Sequence, residues 1–427
     1  MSRHIKSLDD SELDHDLAGE FDALDIDTDA MSSIVASHFN TSCTFLGILP
    51  GGFHAHPIKY RLGDGKRIVA RIVTHPREGV KTEAEVAAMD CMRARTTIPV
   101  PKVHLFCSTI QNPVRAEWII MDFVEGIPWE DCYEQLSYEQ QRTAGVDLAR
   151  VMSETFSLTA THCGSLLDDC SLRPDQRAAR YNIGGAFRVP HSTAWSIGTS
   201  GTFAIGPAND STFINEDDPV HAALCGPFPS ERAYLEAVAY RGRPRDDPSN
   251  GGAREVFKRV MDVYDAVRPL YRALDSADAP TFHFAHNDLF TTNILLDTAT
   301  GHITGIIDWD RSGFVPGWQA GYPGINHFGD DCSRFTVAEC LDGPDALDEP
   351  AEAQEVRESF RDALRSRDPT LWDNHWDGVE LRAILWNLGI PEPERVRLWV
   401  EKYKEYHWDP ILRGPFPANL ATSTDPS

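Results

Sequence analysis

The segment HNDLFTTN at residues 286–293 constrains the fold of this 427-residue chain more than any other stretch of its sequence. An apolar run, TFHFA, precedes it, a strand-like run, ILLD, follows it, and a further apolar run then leads to Asp308. The turn residues TATG between the two later runs predict a short hairpin. Because a hairpin returns the chain to its starting point, we expect Asp308 to lie beside Asn293.

The polar residues of this segment stand in the order of the protein-kinase catalytic loop, HRDLxxxN, with asparagine in place of the arginine. In that arrangement Asp288 orients an acceptor hydroxyl and accepts its proton, while His286 supports the loop from behind. Asn293 and Asp308 supply the hard oxygen ligands that Mg²⁺ prefers when it bridges the phosphates of ATP. Taken alone, the motif has a simpler explanation, in which turn-forming residues only satisfy backbone groups.

The pattern of strands and helices predicts an α+β, two-lobed protein-kinase-like fold. Residues 43–73 have the pattern of a three-stranded antiparallel meander, and a helix over residues 81–96 and two further strand-like runs follow. We expect residues 31–124 to form a small N-lobe built on an antiparallel sheet, and residues 125–427 to form a larger, mainly helical C-lobe. Residues at about 161–250 are rich in Gly, Pro and Ser and are expected to be loops and insertions.

Candidate nucleotide-binding residues lie in the first part of the chain. Arg71 occupies the place of the lysine in the VAIK pattern of a third strand, and Glu85 on the next helix is its expected partner. For Glu85, a surface pair with Lys81 one helical turn earlier is the alternative. Gly51 and Gly52 lie where a glycine-rich turn would cover the phosphates, although a plain hairpin turn explains them equally well.

Residues 121–124 are expected to form the hinge between the lobes, where backbone groups of Asp122 and Val124 would pair with adenine. Arginine at position 71 keeps the positive charge of lysine and forms a planar fork, yet it is bulkier and is not an equivalent exchange. The affinity of the chain for ATP therefore depends on how Arg71 is placed.

The charge balance restricts the partners. The chain has 65 acidic and 40 basic side chains, a formal charge of −25, which disfavours nucleic acid and anionic membranes as partners. Neutral or cationic small molecules fit better, and no obligate protein partner is indicated. Residues 1–30 carry ten of the acids against two bases and are expected to form a solvated, largely disordered leader.

Cysteine usage and hydropathy bear on location. The nine cysteines are scattered and form no CxxC pair, so neither a disulfide framework nor a zinc site is predicted. No secretory signal and no apolar stretch long enough for a membrane span is visible in the sequence. The cytoplasm is the expected location.

Several sequence blocks resemble the aminoglycoside phosphotransferase and choline kinase-like superfamily, in particular the fungal-type phosphotransferase branch. They include DGKRIVARIV, WIIMDFVEGIPW, HNDLFTTNILLD and GIIDWD, and the resemblance extends over roughly residues 35–320. It implies a two-lobed kinase-like fold, ATP and Mg²⁺ as cofactors, and phosphoryl transfer to a small-molecule hydroxyl. By position in the motifs it assigns Asp288 as the base, Asn293 and Asp308 as metal ligands, and Arg71 with Glu85 as the phosphate-positioning pair.

Two hypotheses about function remain open at this stage. The first is an ATP-dependent O-phosphotransferase acting on small molecules, and the second is a nucleotide-binding pseudokinase or interaction protein that keeps the fold with little catalysis. Protein phosphorylation is disfavoured because Asn287 replaces the arginine that reads a phosphorylated activation loop, and no APE sequence follows Asp308. Activity without loop phosphorylation is therefore expected.

Overall fold

The structure is a computed structural model that describes most of the chain. The described residues are 25–50, 55–73, 80–168, 193–197, 200–209, 225–241, 251–269, 281–322 and 351–389, together with residues 397 and 400. Gly51 and Gly52, predicted to belong to a phosphate-covering turn, lie outside these ranges, as do residues 1–24 of the acidic leader. Within the described ranges, no helix is both long enough and apolar enough to cross a membrane.

A five-stranded antiparallel sheet forms the N-lobe. Its strands are β1 (Cys43–Ile48), β2 (Ala55–Leu62), β3 (Arg67–Val73), β4 (Val103–Cys107) and β5 (Glu117–Asp122). They pair in the order β1-β2-β3-β5-β4. The Val- and Ile-rich sequence of β3 suits a pleated surface that is buried on both faces. The predicted three-stranded meander is confirmed, and β5 and β4 extend it.

One face of the sheet is covered by helix α1 (Thr28–Phe39). The helix buries Met31 and Val35 in a cluster with the sheet residues. The Asp27 side chain accepts a hydrogen bond from the Ala30 N–H and caps the first turn. The N-lobe therefore begins within the range predicted for the acidic leader, because a capped helix starts at Thr28.

Helix α2 (Lys81–Arg95) lies against the other face of the sheet, at the position predicted for residues 81–96. Val86, Ala87 and Met89 pack in the same hydrophobic cluster as the sheet residues of this face. Lys81 and Glu85 are also buried in the structure. Since buried charges persist only when they are paired, the first turns of α2 mark a polar centre inside the molecule.

The C-lobe is mainly helical, as predicted. Within the described ranges its helices are α3 (Trp129–Cys132), α4 (Tyr138–Phe156), α5 (Glu231–Arg241), α6 (Gly251–Val267), α7 (Gly317–Ala320), α8 (Ala351–Arg367), α9 (Pro369–Asp377) and α10 (Val379–Gly389). Its strands there are β6 (Ile127–Pro128), β7 (Thr159–Ala160), β8 (Ser165–Asp168), β9 (Thr193–Ile197), β10 (Ser200–Gly206), β11 (Phe282–Ala285), β12 (Ile294–Leu296), β13 (Ile303–Ile306) and β14 (Gly313–Pro316). One hydrophobic cluster includes residues of α2 and of the C-lobe, so the two lobes share a core.

The prediction that residues at about 161–250 are loops is wrong for their described part. Strands β8, β10 and β9 form a three-stranded sheet in that order, and helix α5 follows. These strands are short, and β10 carries glycine and serine, residues that weaken a strand signal in the sequence.

The hinge continues into a strand that is paired with the predicted hairpin. Beyond the hinge, β6 pairs with β12, which in turn pairs with β13. Gly126 precedes β6 with φ of +143°, and a Cβ there would lie 3.0 Å from the Leu295 Cβ and would also collide with the Thr304 side chain. Only glycine therefore allows the hinge to approach the hairpin this closely.

Candidate active site

The predicted hairpin brings the two ends of the motif together. Strands β12 and β13 pair with Ile294 opposite Ile306. The Ile307 N–H then donates to the Asn293 carbonyl at 3.0 Å, so Asp308 follows directly beside Asn293, as the sequence predicted. The Asn293 side-chain nitrogen donates to the Asp288 carbonyl at 2.8 Å and lies 3.3 Å from the Asp288 carboxylate.

His286 is enclosed behind the loop. Its Nε2 donates to the Ile307 carbonyl at 3.0 Å, and its ring lies against Trp309. Burial lowers the pKa of His286 to about 4, so the ring is neutral at physiological pH. A neutral, enclosed histidine of this kind orders the loop. Its contacts with Ile307 and Trp309 hold the chain around Asp308 against the catalytic loop that contains Asp288.

Asp288 has a cationic neighbour that the sequence did not indicate. Arg311 Nη1 lies 3.1 Å from Asp288 Oδ1. Burial raises the pKa of Asp288, and the Arg311 guanidinium opposes this rise. Arg311 thus helps to keep a partly buried carboxylate charged. The sequence feature that could have indicated Arg311 is its position three residues after Asp308. Asp308 occupies the N-cap position of the short 3₁₀ helix Trp309–Arg311, so Arg311 ends the turn that Asp308 begins.

Asp308 adopts an unusual backbone conformation. Its φ and ψ are +63° and +61°, in the left-handed region, which is uncommon for a residue other than glycine. Its side chain is 29% exposed, more than those of the buried charges Arg71, Glu85 and Asp310. Backbone strain of this kind is found at functional sites, where surrounding contacts enforce it.

Arg71 lies at the centre of a buried group of charges. Its Nη1 is 2.9 Å from Glu85 Oε2, and its Nη2 is 2.5 Å from Asp308 Oδ1 and 3.4 Å from Asp310 Oδ2. Burial alone would lower the pKa of Arg71, but these three carboxylates raise it well above its ordinary value. The expected pair of Arg71 with Glu85 is therefore present in the structure.

The surface pair of Glu85 with Lys81, the alternative that the sequence left open, is wrong. The Glu85 side chain is only 1% exposed, and the nearest ion-pair partner of Lys81 is Asp310, with 2.9 Å between Nζ and Oδ2. Burial raises the pKa of Glu85, and the Arg71 guanidinium opposes this rise. Lys81 and Asp310 are two site residues that sequence reasoning did not place here.

At the hinge, the two backbone N–H groups expected to face a ligand, those of Asp122 and Val124, differ in their hydrogen bonding. The Asp122 N–H donates to the Lys102 carbonyl at 2.9 Å and is therefore not available to a ligand. Among the described residues, no hydrogen-bond partner is present for the Val124 N–H. Val124 packs over the hairpin, since a Cβ on Gly305 would lie 2.5 Å from the Val124 Cγ1. The Asp122 carboxylate itself contacts Lys66 and His104 at 2.7 Å each.

The residues present fit Mg²⁺. The Asn293 nitrogen is turned to Asp288, which leaves its amide oxygen as the ligand atom, and Asp308 offers a partly exposed carboxylate. Both are hard oxygen donors, and Mg²⁺ at nucleotide sites takes its remaining ligands from phosphates and water. The described ranges contain no group of three or more His, Cys, Asp or Glu side chains arranged to hold a metal by themselves, at this site or at any other.

Comparison with known proteins identifies the family. The model of the phosphotransferase enzyme family, APH, matches residues 48–319, more than half of the chain. The chain belongs to the phosphotransferase enzyme family. This confirms the resemblance to the aminoglycoside phosphotransferase and choline kinase-like superfamily.

Two fungal relatives are distant and longer. The subtelomeric hrmA-associated cluster protein of Aspergillus fumigatus is 26% identical over 352 residues, which cover 73% of this chain and 66% of that protein. Altered inheritance of mitochondria protein 9 of Debaryomyces hansenii is 21% identical over 352 residues, covering 75% of this chain and 55% of that protein. The alignment with this chain thus leaves a third or more of each relative unmatched.

A solved structure confirms the fold. A protein of Ralstonia eutropha classed with the aminoglycoside phosphotransferases has a TM-score of 0.50 at 15% identity, over 89% of this chain and 99% of its own. The similarity extends over both lobes, so the predicted two-lobed kinase-like fold is confirmed.

Proposed function

We propose that this member of the phosphotransferase family transfers the γ-phosphoryl group of ATP to a hydroxyl of a small molecule. The observation that carries the proposal is the meeting of Asp288, Asn293 and Asp308 at one end of the β12–β13 hairpin, facing the Arg71–Glu85 pair. These groups come from both lobes, so the cleft between the lobes is the reaction site. Family membership supports this reaction class.

In the proposed reaction, Asp288 orients the acceptor hydroxyl and takes its proton as the oxygen–phosphorus bond forms. The bond between the γ-phosphorus and the bridging oxygen of ADP breaks in the same displacement. Arg311 holds Asp288 in place, and His286 holds the backbone on which the loop rests. Asn293 and Asp308 would hold Mg²⁺, which supplies positive charge to the phosphate oxygens.

Arg71 has the second role in this proposal. Its guanidinium is anchored by Glu85 and would direct its other nitrogen to the α- and β-phosphates. The Val124 N–H and the Asp122 carbonyl would pair with adenine. We therefore expect Arg71→Ala to weaken Mg·ATP binding by about ten- to a hundredfold, as loss of a charge-assisted contact does.

The acceptor is best sought among small hydroxyl compounds, with cationic ones tested first because the chain is acidic. A screen of hydroxylated amines, sugars and antibiotics with [γ-³²P]ATP would identify it. Transfer of label by the parent protein, and its loss in Asp288→Asn, would support the proposal. A parent protein that neither transfers label nor binds Mg·ATP would refute it.

A pseudokinase is the second candidate, and one contact favours it. Arg71 Nη2 lies 2.5 Å from Asp308 Oδ1, so the guanidinium occupies a carboxylate that the metal needs. If this contact blocks the cleft permanently, Arg71→Lys should improve ATP binding, because a slimmer ammonium leaves room for the metal. Tighter binding by that variant, with no turnover in the parent on any acceptor, would favour the pseudokinase.

A cytoplasmic location is part of the proposal and rests on the scattered cysteines. Altered inheritance of mitochondria protein 9 of Debaryomyces hansenii is named for mitochondria, so the mitochondrion is the compartment to compare. Imaging of a fluorescent fusion in living cells distinguishes the two.

A further inference from the structure

A second buried cation lies next to the proposed phosphate-binding arginine. Lys81 in the first turn of α2 has 0% exposure, and its Nζ lies 2.9 Å from Oδ2 of Asp310. Asp310 is 4% exposed. Replacing buried ion pairs with apolar side chains is often neutral or stabilising, so fold stability alone does not account for this pair.

One oxygen of Asp310 is shared between two cations. Oδ2 of Asp310 lies 2.9 Å from Lys81 Nζ and 3.4 Å from Arg71 Nη2. The same Nη2 atom is 2.5 Å from Asp308 Oδ1. Burial works against the charge on Asp310, but Arg71 and Lys81 outweigh it and lower the pKa of Asp310, so the carboxylate is ionised.

The backbone at Asp310 is fixed independently of its side chain. The Asn209 side-chain nitrogen donates to the Asp310 carbonyl at 2.7 Å. Lys81 of helix α2 and Arg71 of strand β3 both approach the same carboxylate oxygen of Asp310. The direction of the Asp310 carboxylate is therefore decided by the competition between these two cations.

We propose that Lys81 is a positioning residue that draws Asp310 away from Arg71, so that the guanidinium can exchange Asp308 for a nucleotide phosphate. With Lys81 present, three carboxylates (Glu85, Asp308 and Asp310) face two cations. Without Lys81, Asp310 would no longer be shared and would act more strongly on Arg71, whose second nitrogen is then held too firmly to leave Asp308. Lys81 thereby allows an arginine at position 71 to bind a nucleotide phosphate. This inference rests on the proposed function, because it concerns the binding of Mg·ATP.

Lys81→Met is the primary test, and Lys258→Met is its matched control. Lys258 also pairs with an aspartate, Asp262, at 3.0 Å, but it is 66% exposed on α6. We would measure the dissociation constant of the non-hydrolysable analogue AMP-PNP, with and without Mg²⁺, by calorimetry. Lys81→Met should weaken Mg²⁺-dependent binding by about tenfold or more, because Asp310 would then hold Arg71 more firmly, while Lys258→Met should leave it within about twofold.

A double variant separates positioning from direct contact. In Lys81→Met/Asp310→Asn the competing carboxylate is absent, so Mg·AMP-PNP affinity should return to within about threefold of the parent. A purely structural role for Lys81 would lower the melting temperature of the free protein without changing the Mg²⁺ dependence of binding. Parent-like binding by Lys81→Met, or failure of the double variant to recover, would overturn the inference.

Asp310→Asn provides the test if Lys81→Met does not fold. Since Asp310 competes with the nucleotide for Arg71, removing its charge should let this variant bind Mg·AMP-PNP at least as tightly as the parent. A tenfold loss would contradict the inference. Failure of the proposed function is a different outcome: in that case the parent protein itself would show no Mg²⁺-dependent binding of AMP-PNP.

Discussion

At the scale of single residues, each candidate catalytic group is held by a neighbour that orients it. Asp288 is held by Arg311 at 3.1 Å and by the Asn293 side chain at 3.3 Å. His286 is held by its hydrogen bond to the Ile307 carbonyl. These contacts allow the role of each side chain to be tested by substitutions that keep its shape.

Asp288→Asn should abolish transfer while leaving nucleotide binding nearly intact. Asparagine keeps the shape of the side chain but cannot accept the proton of the acceptor, so we expect kcat to fall by about a hundredfold or more. Steady-state kinetics and calorimetry with Mg·AMP-PNP measure the two effects. Asp262→Asn, on the exposed face of α6, is the control. Near-full turnover in Asp288→Asn would remove Asp288 from the role of base.

His286 should make the fold sensitive to mild acid. The pKa of His286 is about 4 in the folded protein against an ordinary value of 6.5, so the unfolded chain takes up a proton first as the pH falls. Its contribution to stability is therefore complete above pH 6.5 and is lost between pH 6.5 and 4, by about 3 kcal/mol in full.

The measurement is urea unfolding of the parent and of His286→Gln between pH 7 and 4.5. Glutamine can donate to the same carbonyl and does not titrate, so the variant should lose less stability over this interval than the parent. His302→Gln, which replaces a histidine whose side chain is 63% exposed, controls for the substitution itself. Equal slopes in parent and His286→Gln would show that His286 is not the titrating group.

At the scale of elements, the short pairing of β6 with β12 connects the hinge to the catalytic hairpin. Gly126→Ala should disrupt it, because a Cβ would press on Leu295 and Thr304 at a φ of +143°. We expect the free energy of unfolding to fall by about 2 kcal/mol or more, and Mg·ATP affinity to fall with it.

Gly65→Ala is the control for this prediction. Gly65 also has a positive φ, +86°, but nothing lies within 4 Å of a Cβ there, so only backbone strain of about 1 kcal/mol is added. Urea unfolding of both variants gives the comparison. If the two glycines respond alike, close approach between hinge and hairpin is not what Gly126 provides.

Elements could be predicted from the sequence where the hydrophobic pattern and the turn residues indicate the same structure. The β12–β13 hairpin follows from two apolar runs around a turn, and it alone places Asp308 beside Asn293. Lys81 was missed because a lysine four residues before a glutamate is normally a surface pair, and only tertiary packing buries it. Strand β10 was missed because its glycine and serine residues hide a strand that is defined by its partners.

At the scale of the whole molecule, Mg·ATP should stabilise both lobes together. The proposed nucleotide contacts come from Arg71 of β3 on one side and from Asn293 and Asp308 at the catalytic hairpin on the other, so Mg·ATP should bind only the folded protein. At about a hundred times its dissociation constant, Mg·ATP should add about 2.7 kcal/mol to the free energy of unfolding and raise the melting temperature by several degrees.

Differential scanning fluorimetry tests this expectation with the parent and with Asp308→Ala. Loss of the proposed metal ligand should remove the part of the shift that depends on Mg²⁺, while a shift caused by ATP alone would persist. Asp297→Ala, in the exposed turn of the same hairpin, is the matched control. An unchanged Mg·ATP shift in Asp308→Ala would mean that the metal is held elsewhere.

Two buried charges hold helix α2 in place: Glu85 pairs with Arg71 of the sheet, and Lys81 pairs with Asp310 beside the catalytic hairpin. A helix fastened in this way has no outward position to which it can swing without exposing or unpairing buried ions. A compound that acted by displacing helix α2 would therefore have to break both buried ion pairs. A selective compound for this protein would have to compete at the hinge, where the Val124 amide is free among the described residues to receive it.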